Sequence, residues 1–222
     1  MDWEALSLSI KLSAITVLCL LPVGIIMGRY LAYQQFYGKS LLQAVLAIPL
    51  ILPPTVLGYY LLVFLDSSSV LGHYLDLFFG QTLVFSFEGL VIASIIFNLP
   101  FAIHPIQRAF ESIPREVREA GACCGMPPIK VLLKIELPLA WTGIVSAMVM
   151  TFAHTLGEFG VVLMVGGNIP TETKTIAIAI YDRVQAFDNQ AAATMSAFLL
   201  IFSVLAISFT YLITERHKRH YE

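Results

Sequence analysis

Residues 111–138 read ESIPREVREAGACCGMPPIKVLLKIELP. The stretch carries Arg115, Arg118, Lys130 and Lys134 beside four glutamates and lies between two long apolar runs, about 89–106 and 139–165. Its local grammar is helix, turn, helix. Ser112 can cap a first helix and Pro114 fits its first turn. Gly125 can take the left-handed conformation that ends it. Pro127 or Pro128 then starts a second helix, to which Val131, Leu132 and Ile135 give an apolar face. Pro138 stops this helix before the next apolar run. Such a unit is either a plain linker or a docking knob for a soluble partner, since apolar surface outside a core serves as contact surface.

The flanking runs set the context. Five apolar stretches stand out, at about 6–27, 41–65, 89–106, 139–165 and 192–213. Each approaches the roughly 20 residues a spanning helix needs. Only 13% of the 222 residues are charged, about half the share of a soluble globular chain. The expectation is an all-α, polytopic membrane protein: one transmembrane domain over 1–222, with about five spans and residues 110–138 as a loop.

Basic residues near span ends mark the cytoplasmic side. Arg29 and Lys39 follow the first run. Arg108, Arg115, Arg118, Lys130 and Lys134 follow the third, and Arg216, Lys218 and Arg219 the fifth. The opposite side holds only Lys174 and Arg183, while Lys11 sits near the start of the first run, where its stem can snorkel to the interface. This puts the N-terminus outside, the C-terminus inside and residues 110–138 in the cytoplasm. The acidic start, Asp2 and Glu4, and the length of the first run argue for a retained span and against a cleaved signal.

Several functions are disfavoured. A net charge of −2 gives no hint of nucleic-acid binding. Cys19, Cys123 and Cys124 have no metal-site spacing, and the adjacent pair is poorly placed for a disulfide. Gly38-Lys39-Ser40 imitates the end of a phosphate loop, but residue 33 is Tyr where the loop needs Gly, and no strand precedes it. No hydrolytic triad is visible, so the chain is not expected to be an enzyme itself.

The loop also carries a motif. Glu119-Ala120-Gly121, three residues, Gly125, nine residues and Ile135-Glu136-Leu137-Pro138 resembles the EAA loop of bacterial ABC importer permeases, with Gly121 where the motif has Ala. Within that superfamily the chain resembles the molybdate, sulfate and tungstate permeases. The resemblance runs from about residue 6 to residue 215. It is carried by Ile48–Gly58, by Phe152–Gly160 and by Gly166–Tyr181.

The resemblance implies a type I ABC importer permease fold. It also implies a homodimer in the bacterial inner membrane, two ATP-binding cassette subunits and a periplasmic oxyanion-binding protein. ATP and magnesium would sit on the ATPase, with no cofactor on this chain. Glu119, Ala120, Gly121, Gly125, Ile135, Leu137 and Pro138 would form the coupling helix, with Glu119 facing a basic residue of the ATPase. Molybdate is the favoured ion, with sulfate and tungstate as alternatives. A gradient-driven secondary transporter is the rival from another class. It would need titratable groups along the path, and only Glu158 and His154 qualify.

Residue chemistry supplies further candidates. Pro53 and Pro54 break the second run near one end, where Thr55 and Gly58 can accommodate a bend; this is either a packing kink or a bend lining the path. A carboxylate within a span is costly, and on an oxyanion path it would repel the cargo. Glu158 is therefore expected in a structural role near His154, one turn earlier, with gating as the alternative; some relatives have Arg where His154 stands. Thr155, Gly157 and Gly160 complete the pathway set, the glycines forming a small-residue face with Ala153. Outside, Asn168, Pro170, Thr171, Lys174 and Arg183 are docking candidates in a loop that is otherwise a solvated connection.

Overall fold

Asp2 starts the first helix: its carboxylate accepts the Ala5 amide at 3.1 Å, satisfying one of the four free N–H groups of a helix start. Helix α1 then runs from Trp3 to Tyr33. The computed structural model describes residues 1–218, with side chains to residue 212 except that of Ala122. Arg219 and the side chains of Arg216 and Lys218, used above for orientation, lie outside the described residues. Every regular element among the described residues is helical.

Four helical stretches are long and apolar enough to cross a membrane: α1, α5 (Phe87–Glu111), Pro128–Gly157 and Asn189–Leu212. The chain is thus a multi-pass membrane protein. Helices α1, α5 and α8 (Leu137–Gly157) pack on one another as the central unit. Small residues let them approach. A Cβ on Gly28 of α1 would meet the Gln107 backbone nitrogen of α5 at 3.0 Å, and one on Gly143 of α8 would meet Pro105 O at the same distance. Between helices in lipid, such close backbone contact supplies the packing energy that water exclusion supplies elsewhere.

The second apolar run differs from expectation. It is not one span but two helices, α2 (Lys39–Ile51) and α3 (Pro54–Leu65), meeting at 111°. The break falls in the middle of the run. Leu52 and Pro53 are extended, with ψ 139° and 135°, as the residue before a proline prefers. Two successive extended residues turn the chain where one proline would only kink it. With 13 and 12 residues, each half is roughly 20 Å long, short of the ~30 Å hydrocarbon layer.

The fourth run is also shifted. Its helix begins at Pro128 (α7, Pro128–Val131), passes through a wider π segment at Leu132–Glu136 and continues as α8. Pro138 does not stop it. The Leu137 amide donates to Leu132 O, five residues back, and this widened turn makes room for a ring that clashes in a regular helix. The helix ends at Gly157, and the short α9 (Gly160–Gly166) follows.

Two short helices were not expected. α4 (Val70–Phe79) lies between α3 and α5, and α10 (Ile176–Gln185) between α9 and α11 (Asn189–Lys218). The segment after Gly166 is therefore no plain solvated connection. Ile176, Ile178 and Ala179 are buried, and the Ile176 amide donates to Ser9 Oγ of α1 at 2.8 Å.

Candidate functional site: a coupling loop and two helix breaks

The loop between α5 and α8 folds as a compact hairpin. Helix α6 spans Arg115–Cys123. Ser112 does not cap it. The Ser112 hydroxyl donates to Ala109 O at 2.8 Å and closes the end of α5, leaving Pro114 as the residue before α6. Gly125 has φ +74°, the conformation expected of it, and the Met126 amide reaches back to Gly121 O at 3.2 Å. Pro128 sits in the first turn of α7, where its missing N–H costs nothing.

The two limbs of the hairpin touch at Gly121. A Cβ there would lie 2.7 Å from Ile135 Cδ1 and 3.4 Å from Val131 Cγ2. The departure from the alanine of the motif thus marks a close contact. Val131 is buried, and Leu132 and Ile135 are half-buried, so the apolar face read from the sequence turns inward. Val117, Ile129 and Leu133, at 39%, 58% and 57% exposure, form the outward apolar surface. Sequence inspection missed them. Ala120 is exposed, Leu137 half-buried and Pro138 exposed. Glu119 is exposed and pairs with Arg115 on its own helix.

Arg29 and Glu136, 107 residues apart, were also not foreseen as a pair. Arg29 Nε donates to Glu136 Oε2 at 2.6 Å and Nη2 to Oε1 at 3.3 Å. The Glu136 side chain is only 2% exposed. A two-point guanidinium–carboxylate contact offsets the desolvation that a lone buried carboxylate would suffer.

At the other end of α8 the pathway candidates divide into two groups. Pro54, Thr55 and Gly58 come together with Gly160. A Cβ on Gly160 would meet Pro54 Cβ at 2.7 Å, and one on Gly58 would meet Met164 Cβ at 2.7 Å. The break at Pro53 and the break at Glu158 are therefore back to back. Glu158 is buried and accepts the Val161 amide at 3.0 Å, capping α9. Its contact is this amide rather than the expected His154.

His154 faces the other way. Its Nδ1 lies 3.0 Å from Asn98 Oδ1 of α5, and its ring stacks on Phe101 at 4.0 Å and Phe97 at 5.0 Å. Thr155 is buried and donates to Thr151 O. A Cβ on Gly157 would meet nothing within 4 Å, so Gly157 takes no part in the close contact expected of it.

The loop that carries the docking candidates is tied to itself. Asn168 Nδ2 donates to both Asp182 carboxylate oxygens, at 3.0 and 3.1 Å, and Lys174 Nζ lies 2.9 Å from Asp182 Oδ2. Arg183 pairs with Asp188 at 3.4 Å. Pro170 and Thr171 form the exposed tip, with Thr171 at φ +68°. Beside it, Lys11 is held over the Phe87 ring at 4.5 Å. It lines a cleft of about 620 Å³ with Glu4, Glu88 and Glu172.

Residues 21–220 match the family of binding-protein-dependent transport system inner membrane components. The chain belongs to this family. It is 40% identical over 206 residues to the molybdenum transport system permease protein of Azotobacter vinelandii, covering 93% of this chain and 91% of that one. It is 37% identical over 214 residues to the namesake in Escherichia coli K12, covering 96% and 92%. Among solved structures, a bacterial alginate ABC transporter in complex with its alginate-bound periplasmic protein superposes with a TM-score of 0.76 at 18% identity, covering 96% of this permease and 78% of that chain. At that identity the likeness carries the type I permease fold alone.

Proposed function

We propose that this permease is the membrane-spanning subunit of an ATP-driven molybdate importer. It works as a homodimer with two ATP-binding cassette subunits and a periplasmic oxyanion-binding protein. ATP and magnesium reside on the cassettes, with no cofactor on this chain. The N-terminus lies outside and the hairpin at 115–131 in the cytoplasm. The observation that carries this reading is the uninterrupted helix from Pro128 to Gly157. Its 30 residues form a rod of about 45 Å.

One end of this rod is the exposed hairpin, with Glu119, Gly125, Ile129 and Leu133 open to a partner. The other end is the Glu158 break, locked through Gly160 onto the Pro53–Pro54 break. A cassette that closes on ATP and drags the hairpin moves the rod as a unit. The weak point is the non-helical Glu158–Phe159 step, so movement there shifts the α3–α9 pair. The arrangement is suited to gating and, among the described residues, no Lys or Arg is paired at the breaks. A hydrated oxyanion therefore passes without a deep site, and choice of ion falls to the binding protein.

The test is uptake into proteoliposomes holding the permease, its ATPase and its binding protein. Molybdate uptake that requires ATP and the binding protein is expected, with sulfate and tungstate as competitors. Uptake driven by an ion gradient without the ATPase would overturn the importer reading. Preferred uptake of sulfate or tungstate would overturn the ion alone.

A further inference from the structure

Helix α1 is fastened to the coupling loop at two points beyond ordinary packing. The first is the Arg29–Glu136 pair, whose carboxylate is buried and whose guanidinium is partly exposed. The second is one turn further on, where the Arg118 guanidinium lies 3.7 Å from the centre of the Tyr33 ring. Arg118 Nε is buried without a hydrogen-bond partner among the described residues, so the ring face is the anchor of that side chain. Tyr33 is held in turn: its hydroxyl donates to Phe110 O at 3.1 Å, and its ring meets Phe110 edge-on at 5.9 Å.

At its other end α1 is fastened again, through Ser9 Oγ, to the first amide of α10 in the outer loop. Ser9 is fully buried and its carbonyl accepts the Ser13 hydroxyl at 2.8 Å. A single helix of 31 residues thus joins the hairpin to the outer loop. Apolar side chains along α5 and α8 can slide past it. An ion pair and a stacked cation cannot slide without breaking, so displacement of the hairpin is passed to α1 in full.

We propose that Arg29, Tyr33, Arg118 and Glu136 form a clamp that makes α1 a second output of the coupling loop, beside its direct continuation into α8. Through Ser9 and Ile176 this arm lets the outer docking loop and the ATPase-facing hairpin sense one another. Because binding couplings between two sites are reciprocal, binding-protein docking outside biases the ATP-bound, closed arrangement of the cassettes by the same route, and hydrolysis reads that bias. The four are positioning residues, and the inference rests on the importer reading above.

The experiment compares reconstituted complexes of the full chain with its ATPase, measuring ATP hydrolysis with and without molybdate-loaded binding protein. The variants are the double Arg29→Met with Glu136→Leu, which leaves no buried charge unpaired, Tyr33→Leu, which removes the ring, and Tyr33→Phe, which keeps it. The double and Tyr33→Leu are expected to assemble and keep basal hydrolysis but lose about fivefold or more of the stimulation, a typical coupling factor. Tyr33→Phe is expected to keep it. Full stimulation in an assembled double or Tyr33→Leu complex overturns the clamp. So does failure of both to assemble while Tyr33→Phe assembles, since the residues would then only hold the fold. Absence of stimulation in the unmodified complex counts against the importer reading instead.

Discussion

Gly160 lies so close to Pro54 that a Cβ at residue 160 would stand 2.7 Å from the proline Cβ. This contact holds two helix breaks together, and it separates two glycines that look alike in the sequence. Gly160→Val is expected to destabilise the complex by about 1–3 kcal/mol through overpacking. Gly157→Ala has free space around it and is expected to leave stability within about 0.5 kcal/mol. Thermal unfolding of the detergent-solubilised complex measures both.

Glu158 caps α9 through the Val161 amide. Glu158→Ala removes the acceptor and is expected to cost about 0.5–2 kcal/mol, the range for a lost helix cap. Glu158→Gln keeps a carbonyl oxygen in place and is expected to retain most of the stability and of the uptake. Equal loss in both variants would mean that the charge matters and the cap does not.

Gly125 is required for its backbone and not for space: φ is +74° and a Cβ would meet nothing within 4 Å. Gly125→Ala is expected to cost about 1–2 kcal/mol of left-handed strain, confined to the hairpin. Gly125→Trp and Glu119→Arg place bulk and the wrong charge on the exposed surface, and both are expected to abolish ATPase stimulation. Normal stimulation and transport in either one would remove the hairpin from the coupling path.

Asp182 ties the loop around Asn168 and Lys174 to pH. Burial raises the Asp182 carboxyl, but hydrogen bonds from Lys174 and Asn168 and the charges of Lys174 and Arg183 hold it below its ordinary value overall. A depressed carboxyl contributes stability above its unfolded value of about 4 and loses it as pH falls through the lower folded value. Asp182→Asn is therefore expected to lower stability by under about 1 kcal/mol, as for other partly exposed pairs. The deficit should be constant from pH 8 to pH 5 and should vanish in strong acid. Thermal unfolding against pH checks this.

How far the sequence could be read follows from the range of each interaction. Local chemistry was legible: the turn at Gly125, the helix start at Pro128 and the interruption at Pro53–Pro54 depend on residues within a turn of one another. The angle of that interruption was not, because 111° is set by α3 packing on α9 through Gly58 and Gly160. Pro138 misled because a proline ends a regular helix, while a π turn five residues wide admits one. Partnerships across the chain, Arg29 with Glu136, His154 with Asn98, Ser9 with Ile176, had no signal in one sequence. The exposed trio Val117, Ile129 and Leu133 was hidden because the apolar period fits the inward face equally well.

ATP-driven import requires the hairpin to meet a nucleotide-driven partner in the cytoplasm. The most direct measurement places a photo-crosslinking side chain at residue 129, on the exposed tip, in the assembled complex. A covalent adduct with the ATP-binding subunit, its yield changed by ATP, is expected. Contradiction would be labelling of residue 129 by a membrane-impermeant reagent from the periplasmic side, or an assembled, transporting complex in which no adduct with that subunit forms.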